Sequence, residues 1–408
     1  MNNKKKALLC INSFYPFPNA NTNASFVVIH ELIKKYNLDV LAIGNDSCTK
    51  KYKYQSSSVF FTKKDGIFLS KVLSCSCKST ESNNILKKAL LFFERKIARM
   101  AINFSNYSKQ LHSMLKKEKY DIIFSVSAPF QIHLPILNLK SHHRFKWVCI
   151  LQDPYSTYLP FYPIAKELTR IENSVYKKSD LILVSEALYK ENINNSREKF
   201  LFKTKILNFG NMCAVKQKIN RTNHILPIKC LFAGSIFDYR IRNPESAFSI
   251  LNRANKNISC SFLINNFSQK VINSFEKINQ NQNVSLQFSV PQDDAIKMMD
   301  TADILINIGN GVENQIPSKI FEYIAMGKPI VNFYVLGNDL AKKLLESYPL
   351  ALNLSLNFST IDDCVALFND FCTTNYRKRL SENEIFIFYP NYSYHSIKEK
   401  FLSFIDKF

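Results

Sequence analysis

Residues 303–334 read DILINIGNGVENQIPSKIFEYIAMGKPIVNFY. A mostly apolar run, Ile304–Ile308, opens the stretch, and a second, Ile330–Phe333, closes it. Short apolar runs without polar alternation predict strands buried on both faces, as in a parallel sheet. Between them lies a helical pattern with punctuation at both ends. Pro317 suits the first helical position, and Gly327 suits the place just past the last turn. Strand, helix and strand in this order form the repeating unit of a doubly wound α/β fold.

The same rhythm extends upstream. IKCLFAGS (228–235), ISCSFLIN (258–265) and VSLQFSV (284–290) are strand-like, with helical patterns in NPESAFSILNRANK (243–256) and PQDDAIKMMDTA (291–302). An earlier set starts with KKALLCINSF (5–14), SFVVIHELIKKY (25–36) and LDVLAIG (38–44). It continues with YDIIFSVS (120–127), KWVCILQD (146–153) and DLILVS (180–185), with helix pieces in LPILNLK and ALYKENI. KILNFGNM (205–212) looks like the last strand and turn of that set, and AVKQKINRTNHILP (214–227) is polar, basic and aperiodic. The expected organisation is therefore a Rossmann-like domain over 1–212, a linker over 213–229 and a second Rossmann-like domain over 230–388. A C-terminal helix within 389–408 could cross back to the first domain. Two such doubly wound parallel-sheet domains would face a cleft lined by strand carboxyl ends, where open α/β sheets bind ligands.

The 408 residues suffice for two domains, and 46% hydrophobic content argues against disorder. No apolar run approaches the ~18 residues needed to cross a bilayer. The basic-then-apolar start, MNNKKKALLCINSFYP, imitates a signal peptide, but Ala7–Ile11 is short and no small-residue cleavage site follows. A cytoplasmic location is expected. The ten cysteines form no CxxC, and several sit inside strand-like runs, as buried reduced thiols do. Lys and Arg number 54 against 33 Asp and Glu, a net charge of +21. Such a field attracts nucleic acid, anionic lipid or phosphorylated small molecules. No nucleic-acid motif accompanies it, so no nucleic-acid partner is expected.

Lys319 and Glu322 stand three apart on the first turns of the helix in PSKIFEYIAMG. A surface i,i+3 ion pair would explain them. A functional alternative is a site for phosphate and hydroxyl. A cation is disfavoured in a first helical turn, and a broken local rule at a strand's carboxyl end hints at function. LFAGSIFDYRIRNP (231–244) brings Arg240 and Arg242 to another strand end after the Gly234–Ser235 turn. Arg binds phosphate bidentately, although either arginine alone would be an ordinary surface charge. Asp153, before Pro154, is either a turn residue or a partner for a substrate hydroxyl. His30 and Glu31 are expected in packing and surface roles, with Glu31 able to approach the cleft. Asp293 and Asp294 are expected to cap a helix.

PSKIFEYIAMGKPIV resembles the donor-site helix of bacterial nucleotide-sugar glycosyltransferases of the GT-B fold, family four in particular. SVSAPF, WVCILQDPYS, KKSDLILVSEAL, LFAGSIFDYRIRNP and ADILINI resemble that family's other landmarks in the same order, across most of the chain. The resemblance implies transfer of a sugar from a nucleotide-sugar donor to a saccharide or lipid-linked acceptor in surface polysaccharide synthesis, with retention and without a metal or other cofactor. Glu322 matches the second glutamate of the family's Glu-x7-Glu motif, which holds ribose. Arg242 and Lys319 match cations that neutralise the diphosphate leaving group, with Asp153 as the acceptor-side candidate. Gly234, Ser235, Asn314, Ile316, Pro317 and Ser318 complete the implied donor site. Asn314 stands where the first glutamate would be, with Glu313 as an alternative register one residue off, Gln152 stands where many members have histidine, and NANTNAS replaces a glycine-rich loop.

Two other functions fit parts of this pattern. One is a nucleotide-sugar epimerase on the same architecture, although few histidines lie near strand ends. The other is a non-catalytic protein binding nucleic acid or anionic membrane. The segment ILKKALLFFERKIARMAINF (85–104) interleaves Lys87, Lys88, Arg95, Lys96 and Arg99 with apolar residues that include Phe92 and Phe93. It reads either as a core helix or as one lying on an anionic membrane surface. The second choice predicts peripheral attachment to the inner face of the cell membrane.

Overall fold

The computed structural model describes residues 4–15, 19–43, 51–62, 105–127, 129–152, 165–194, 197–210, 212–214, 226–236, 242–267, 269–278, 283–311, 316–357 and 360–408. The chain divides into two compact units, residues 1–210 with 394–408 and residues 211–393. Most of the expected linker, 215–225, lies outside the described residues, as does the segment 85–104 with Lys87, Lys88, Phe92, Phe93, Arg95, Lys96 and Arg99. Among the described residues no helix is long and apolar enough to cross a membrane.

The first unit is built on β1 (Lys6–Cys10), β2 (Asn37–Ile43), β3 (Lys51–Tyr54), β4 (Ser57–Thr62), β5 (Ile122–Val126), β6 (Lys146–Leu151), β7 (Leu181–Val184) and β8 (Thr204–Ile206). Their order in the sheet is β3-β4-β2-β1-β5-β6-β7-β8. Every pair is parallel except the β3–β4 hairpin, whose turn uses Gln55 at φ 52°. The central strands are apolar on both faces because helices cover both. Ala7–Cys10 and Trp147–Leu151 are wholly buried. That burial removes any need for polar alternation along these strands. The polar stretch expected as a loop around 19–25 instead folds into a helical turn, Ala20–Ala24. Asn19 caps it, its side chain accepting from the Asn21 and Thr22 amides.

The helix Phe26–Lys35 buries Val27, Val28, Ile29, Leu32 and Ile33, the stripe a 3.6-residue period demands. Glu31 is buried with them and accepts from Tyr394 Oη at 2.6 Å and Lys34 Nζ at 3.0 Å. Burial alone would raise its carboxyl. The two hydrogen bonds, with the charges of Lys34 and Lys398, hold it below the usual range. Tyr394 opens the helix Tyr394–Asp406, which packs on Phe26–Lys35 and belongs to this unit. His30 Nδ1 bonds the same hydroxyl, and Lys35 pairs with Asp406.

The second unit holds β9 (Ile228–Ile236), β10 (Ile258–Phe267), β11 (Val284–Phe288), β12 (Ile304–Ile308), β13 (Ile330–Tyr334) and β14 (Ala351–Ser355). The order is β11-β10-β9-β12-β13-β14, with all pairs parallel. One core, including Phe232, Phe248, Phe262 and Phe368, lies on one face. Leu305, Ile320, Tyr323, Ile324 and Met299 form the other. Cys10, Cys149, Cys230, Cys260, Cys364 and Cys372 are buried free thiols, and Cys213 is half-buried. The helix Gln292–Thr301 is capped by Pro291, so Asp294 serves as an ion-pair partner of Lys297 rather than as a cap.

Candidate functional site

In the second unit the direction of strand succession reverses between β9 and β12. Doubly wound sheets open their ligand crevice at such a point, outside the strand carboxyl ends. The opening is visible in the pairing. β9 and β12 are in register only at Cys230–Ile304 and Leu231–Leu305 and then part. Parting orphans β9 backbone groups, which must find partners when buried. The phenol of Tyr323 supplies them. It accepts from the Ala233 amide at 2.8 Å and donates to the Ala233 carbonyl at 3.2 Å. Burial raises that phenol's pKa, and the charges of Glu322 (upward) and Arg242 (downward) both reach it.

Arg242 bridges the two parted strand ends. Its Nη1 donates to the Ser235 carbonyl at 3.0 Å and its Nη2 to Asn310 Oδ1 at 2.9 Å. Ser235 lies in β9, and Asn310 lies two residues past β12. The guanidinium is thus fixed at the switch point, half-buried. Gly234 lets it in. A Cβ there would meet the Phe232 ring at 3.0 Å and Arg242 Nη1 at 3.5 Å. Gly309 allows a second close approach, because a Cβ there would lie 2.6 Å from Asp339 Oδ2. Asp339 is 5% exposed and caps the helix Leu340–Leu345 by accepting from the Lys342 amide at 2.7 Å. Burial raises its carboxyl pKa, against the pull of those amide bonds and of Arg242 and Lys342. Asp339 was not singled out in the sequence, although an Asn-Asp pair before LAKKLL is a helix-start signal.

The helix expected after β12 spans Lys319–Ala325. Ser318 is its N-cap, exposed, with no side-chain cap bond. Pro317 is therefore not the first helical residue. It lies buried one position before the cap. Gly327 follows the C-cap Met326 at φ 71°, as expected for glycine past the last turn. Ile316 packs against the apolar cluster under this helix. Lys319 Nζ lies 2.6 Å from Glu322 Oε2, with side chains 30% and 13% exposed. The structure thus joins the two residues that the sequence left as either an ion pair or a ligand site. Asn314, Arg240 and Asp153 lie outside the described residues.

The carboxyl edge of the first unit's sheet is polar. Gln152, just past β6, donates from Nε2 to Ser25 Oγ at 2.8 Å and to the Asn21 carbonyl at 3.1 Å. Its own amide donates to Ser127 Oγ at 3.1 Å. Gln152 Oε1 is buried with no hydrogen-bond partner among the described residues.

No family model and no curated protein sequence matches the chain. Solved structures do. Anabaena HepE in complex with UDP aligns over 99% of this chain and 100% of its own, with TM-score 0.58 and 12% identity. The α,α-trehalose-phosphate synthase (UDP-forming) of Burkholderia vietnamiensis aligns over 98% and 96%, with TM-score 0.61 and 10% identity. A putative UDP-N-acetylglucosamine 2-epimerase of Listeria monocytogenes aligns over 99% and 96%, with TM-score 0.55 and 9% identity. The fold is GT-B, shared over nearly the whole chain. At such low identity the likeness extends to the fold and no further.

Proposed function

We propose that this protein transfers a glycosyl group from a nucleotide-sugar donor to a saccharide or lipid-linked acceptor. The observation that carries this is Arg242, locked between the ends of β9 and β12 by Ser235 and Asn310 at the switch point. As the glycosidic bond breaks, negative charge grows on the departing nucleoside diphosphate. A cation already fixed in place stabilises that charge without reorganising. Lys319 would add a second cation, held ready by Glu322, and Glu322 would accept from ribose hydroxyls. Glycine at 234 leaves the carboxyl end of β9 without a side chain where phosphate oxygens would approach, and the exposed Ser318 hydroxyl and amide offer further donors. Transfer would be of a hexosyl or related group, with retention, for surface polysaccharide, and with positive charge supplied by side chains rather than by a metal. The first unit would take the acceptor.

The test has two stages. Thermal unfolding with UDP, GDP or ADP should show stabilisation by one of them, because a ligand at a hundredfold its Kd contributes about 2.7 kcal/mol. Donors of the selected nucleotide are then incubated with lipid-linked and free saccharide acceptors, and products are weighed by mass spectrometry. A heavier acceptor supports transfer. An isomerised donor with unchanged acceptor would point to the epimerase alternative. No stabilisation by any nucleotide would remove the donor site altogether.

A further inference from the structure

Two adjoining recesses open on the amino edge of the first unit's sheet, the edge opposite Ser127 and Gln152. Their volumes are ≈ 400 and ≈ 490 Å³, within the range of small-molecule sites. Both are lined by the segment running from the helix Ser105–Lys117 into β5 and by the segment entering β6. The rings of Tyr120 and Phe145 are buried there, and the rim is basic. Lys116, Lys117, Lys119 and Arg144 are exposed, and none has an acidic partner among the described residues.

The neighbouring charges differ in this respect. Lys140 pairs with Asp180 at 2.6 Å, and Lys146 bonds the terminal residue Phe408. Asp121 accepts from the Lys6 amide at 2.9 Å. Glu118 is the remaining acid on the lining. A helix macrodipole explains part of this arrangement. Lys116 and Lys117 fall in the last turn of their helix, where cations are favoured. That effect fades within a turn. Lys119 lies two residues beyond the helix, and Arg144 lies five residues past the helix His133–Leu139. Four unpaired cations around one concavity repel each other, and an anion seated among them would relieve this.

We infer that these recesses bind a phosphate group, held by Lys116, Lys117, Lys119 and Arg144. The site lies at the opposite sheet edge from the acceptor-side polar cluster and stands independently of the glycosyl-transfer reading. Its phosphate can belong to an anionic lipid headgroup or to a soluble phosphate, and the same contacts serve both.

The experiment uses the full chain. Sedimentation is measured with phosphatidylglycerol–phosphatidylcholine vesicles and with phosphatidylcholine alone, and calorimetry is run with inorganic pyrophosphate on protein already saturated with nucleoside diphosphate, so that the proposed donor site is filled. Wild type is compared with a quadruple variant carrying Lys116→Gln, Lys117→Gln, Lys119→Gln and Arg144→Gln. A charge-matched control carries Lys256→Gln, Lys277→Gln, Lys343→Gln and Lys378→Gln, all exposed on the second unit. Removing four cations from one site should weaken binding at least about tenfold, while the control stays near wild type. Loss on phosphatidylglycerol vesicles alone identifies a lipid headgroup, and loss of pyrophosphate binding identifies a soluble phosphate. Either outcome supports the site. Equal loss in the control would mean that only the net charge acts, and an unchanged quadruple variant or no binding to either probe would also overturn the site.

Discussion

Lys319 and Glu322 hold each other on one helical turn, Nζ to Oε2 at 2.6 Å, on the first helix after the strand that flanks the switch point. An i,i+3 pair of this kind adds only about 0.2–0.5 kcal/mol to a helix. Stability is therefore a weak reason for its presence. If Glu322 takes ribose hydroxyls, Glu322→Gln removes a charge-assisted contact of roughly 1.5–3 kcal/mol. The donor KM should rise on the order of tenfold to a hundredfold, with Tm nearly unchanged. Isothermal titration with the nucleoside diphosphate checks it, and wild-type affinity in Glu322→Gln would return the pair to a structural role.

Tyr323 is the opposite case, a residue next to the site whose role is in the fold. Its hydroxyl replaces the backbone partners that β9 loses where β12 parts from it. Tyr323→Phe keeps the ring and leaves the Ala233 amide and carbonyl unpaired in a dry place. The expected cost is about 1–3 kcal/mol of stability in the second unit. Hydrogen exchange should show faster opening at Ala233 before any change at β10.

How much of this was legible in the sequence follows from how far apart the cooperating residues lie. Gly327 and the pair Lys319–Glu322 are local signals, and the helix between them was readable. The alternation of apolar runs and helical patterns revealed two α/β domains because buried parallel strands need no polar face. Arg242 and Asn310 are 68 residues apart in sequence. They meet because β9 and β12 are neighbours, a fact of strand order that no window contains. Asp339 was missed for the same reason, since it reaches Gly309 only through β13. The β3–β4 hairpin was also missed. KYKYQSSSVFFT carries no glycine at its turn, which Gln55 makes at a positive φ that glycine or asparagine usually supplies.

His133 gives the first unit a pH dependence. It is wholly buried, with Nδ1 2.8 Å from Ser125 Oγ, and burial pulls its pKa down to about 3. The unfolded value is about 6.5. Above pH 6.5 the ring is neutral in both states and costs nothing. Between 6.5 and about 3 only the unfolded chain takes the proton, so stability falls as pH falls through that window. The slope approaches about 1.4 kcal/mol per pH unit, for a total on the order of 5 kcal/mol. Trp147 is the protein's single tryptophan and donates to the same Ser125 hydroxyl at 2.7 Å, so its fluorescence reports this unit. Urea midpoints between pH 7 and 4 should fall more steeply in wild type than in His133→Gln. Parallel curves would mean that His133 is protonated in the folded core.

Arg242→Lys separates charge from geometry at the switch point. The guanidinium spans from the Ser235 carbonyl to Asn310 Oδ1 with two different nitrogens, at 3.0 and 2.9 Å. An ammonium is a point charge on a flexible stem and cannot hold both ends in one fixed orientation. If only net charge mattered, Arg242→Lys would keep full activity. If preorganisation matters, it should lose kcat/KM on the order of tenfold to a hundredfold, as when a charge-assisted contact of roughly 1.5–3 kcal/mol is lost. Asn310→Ala should then cost part of the same amount, because it frees one end of Arg242 without touching the charge. In the double variant Arg242→Lys/Asn310→Ala, the Asn310 effect should largely vanish, since the bond it supports is already gone. Strict additivity of the two losses would show that Arg242 and Asn310 act separately.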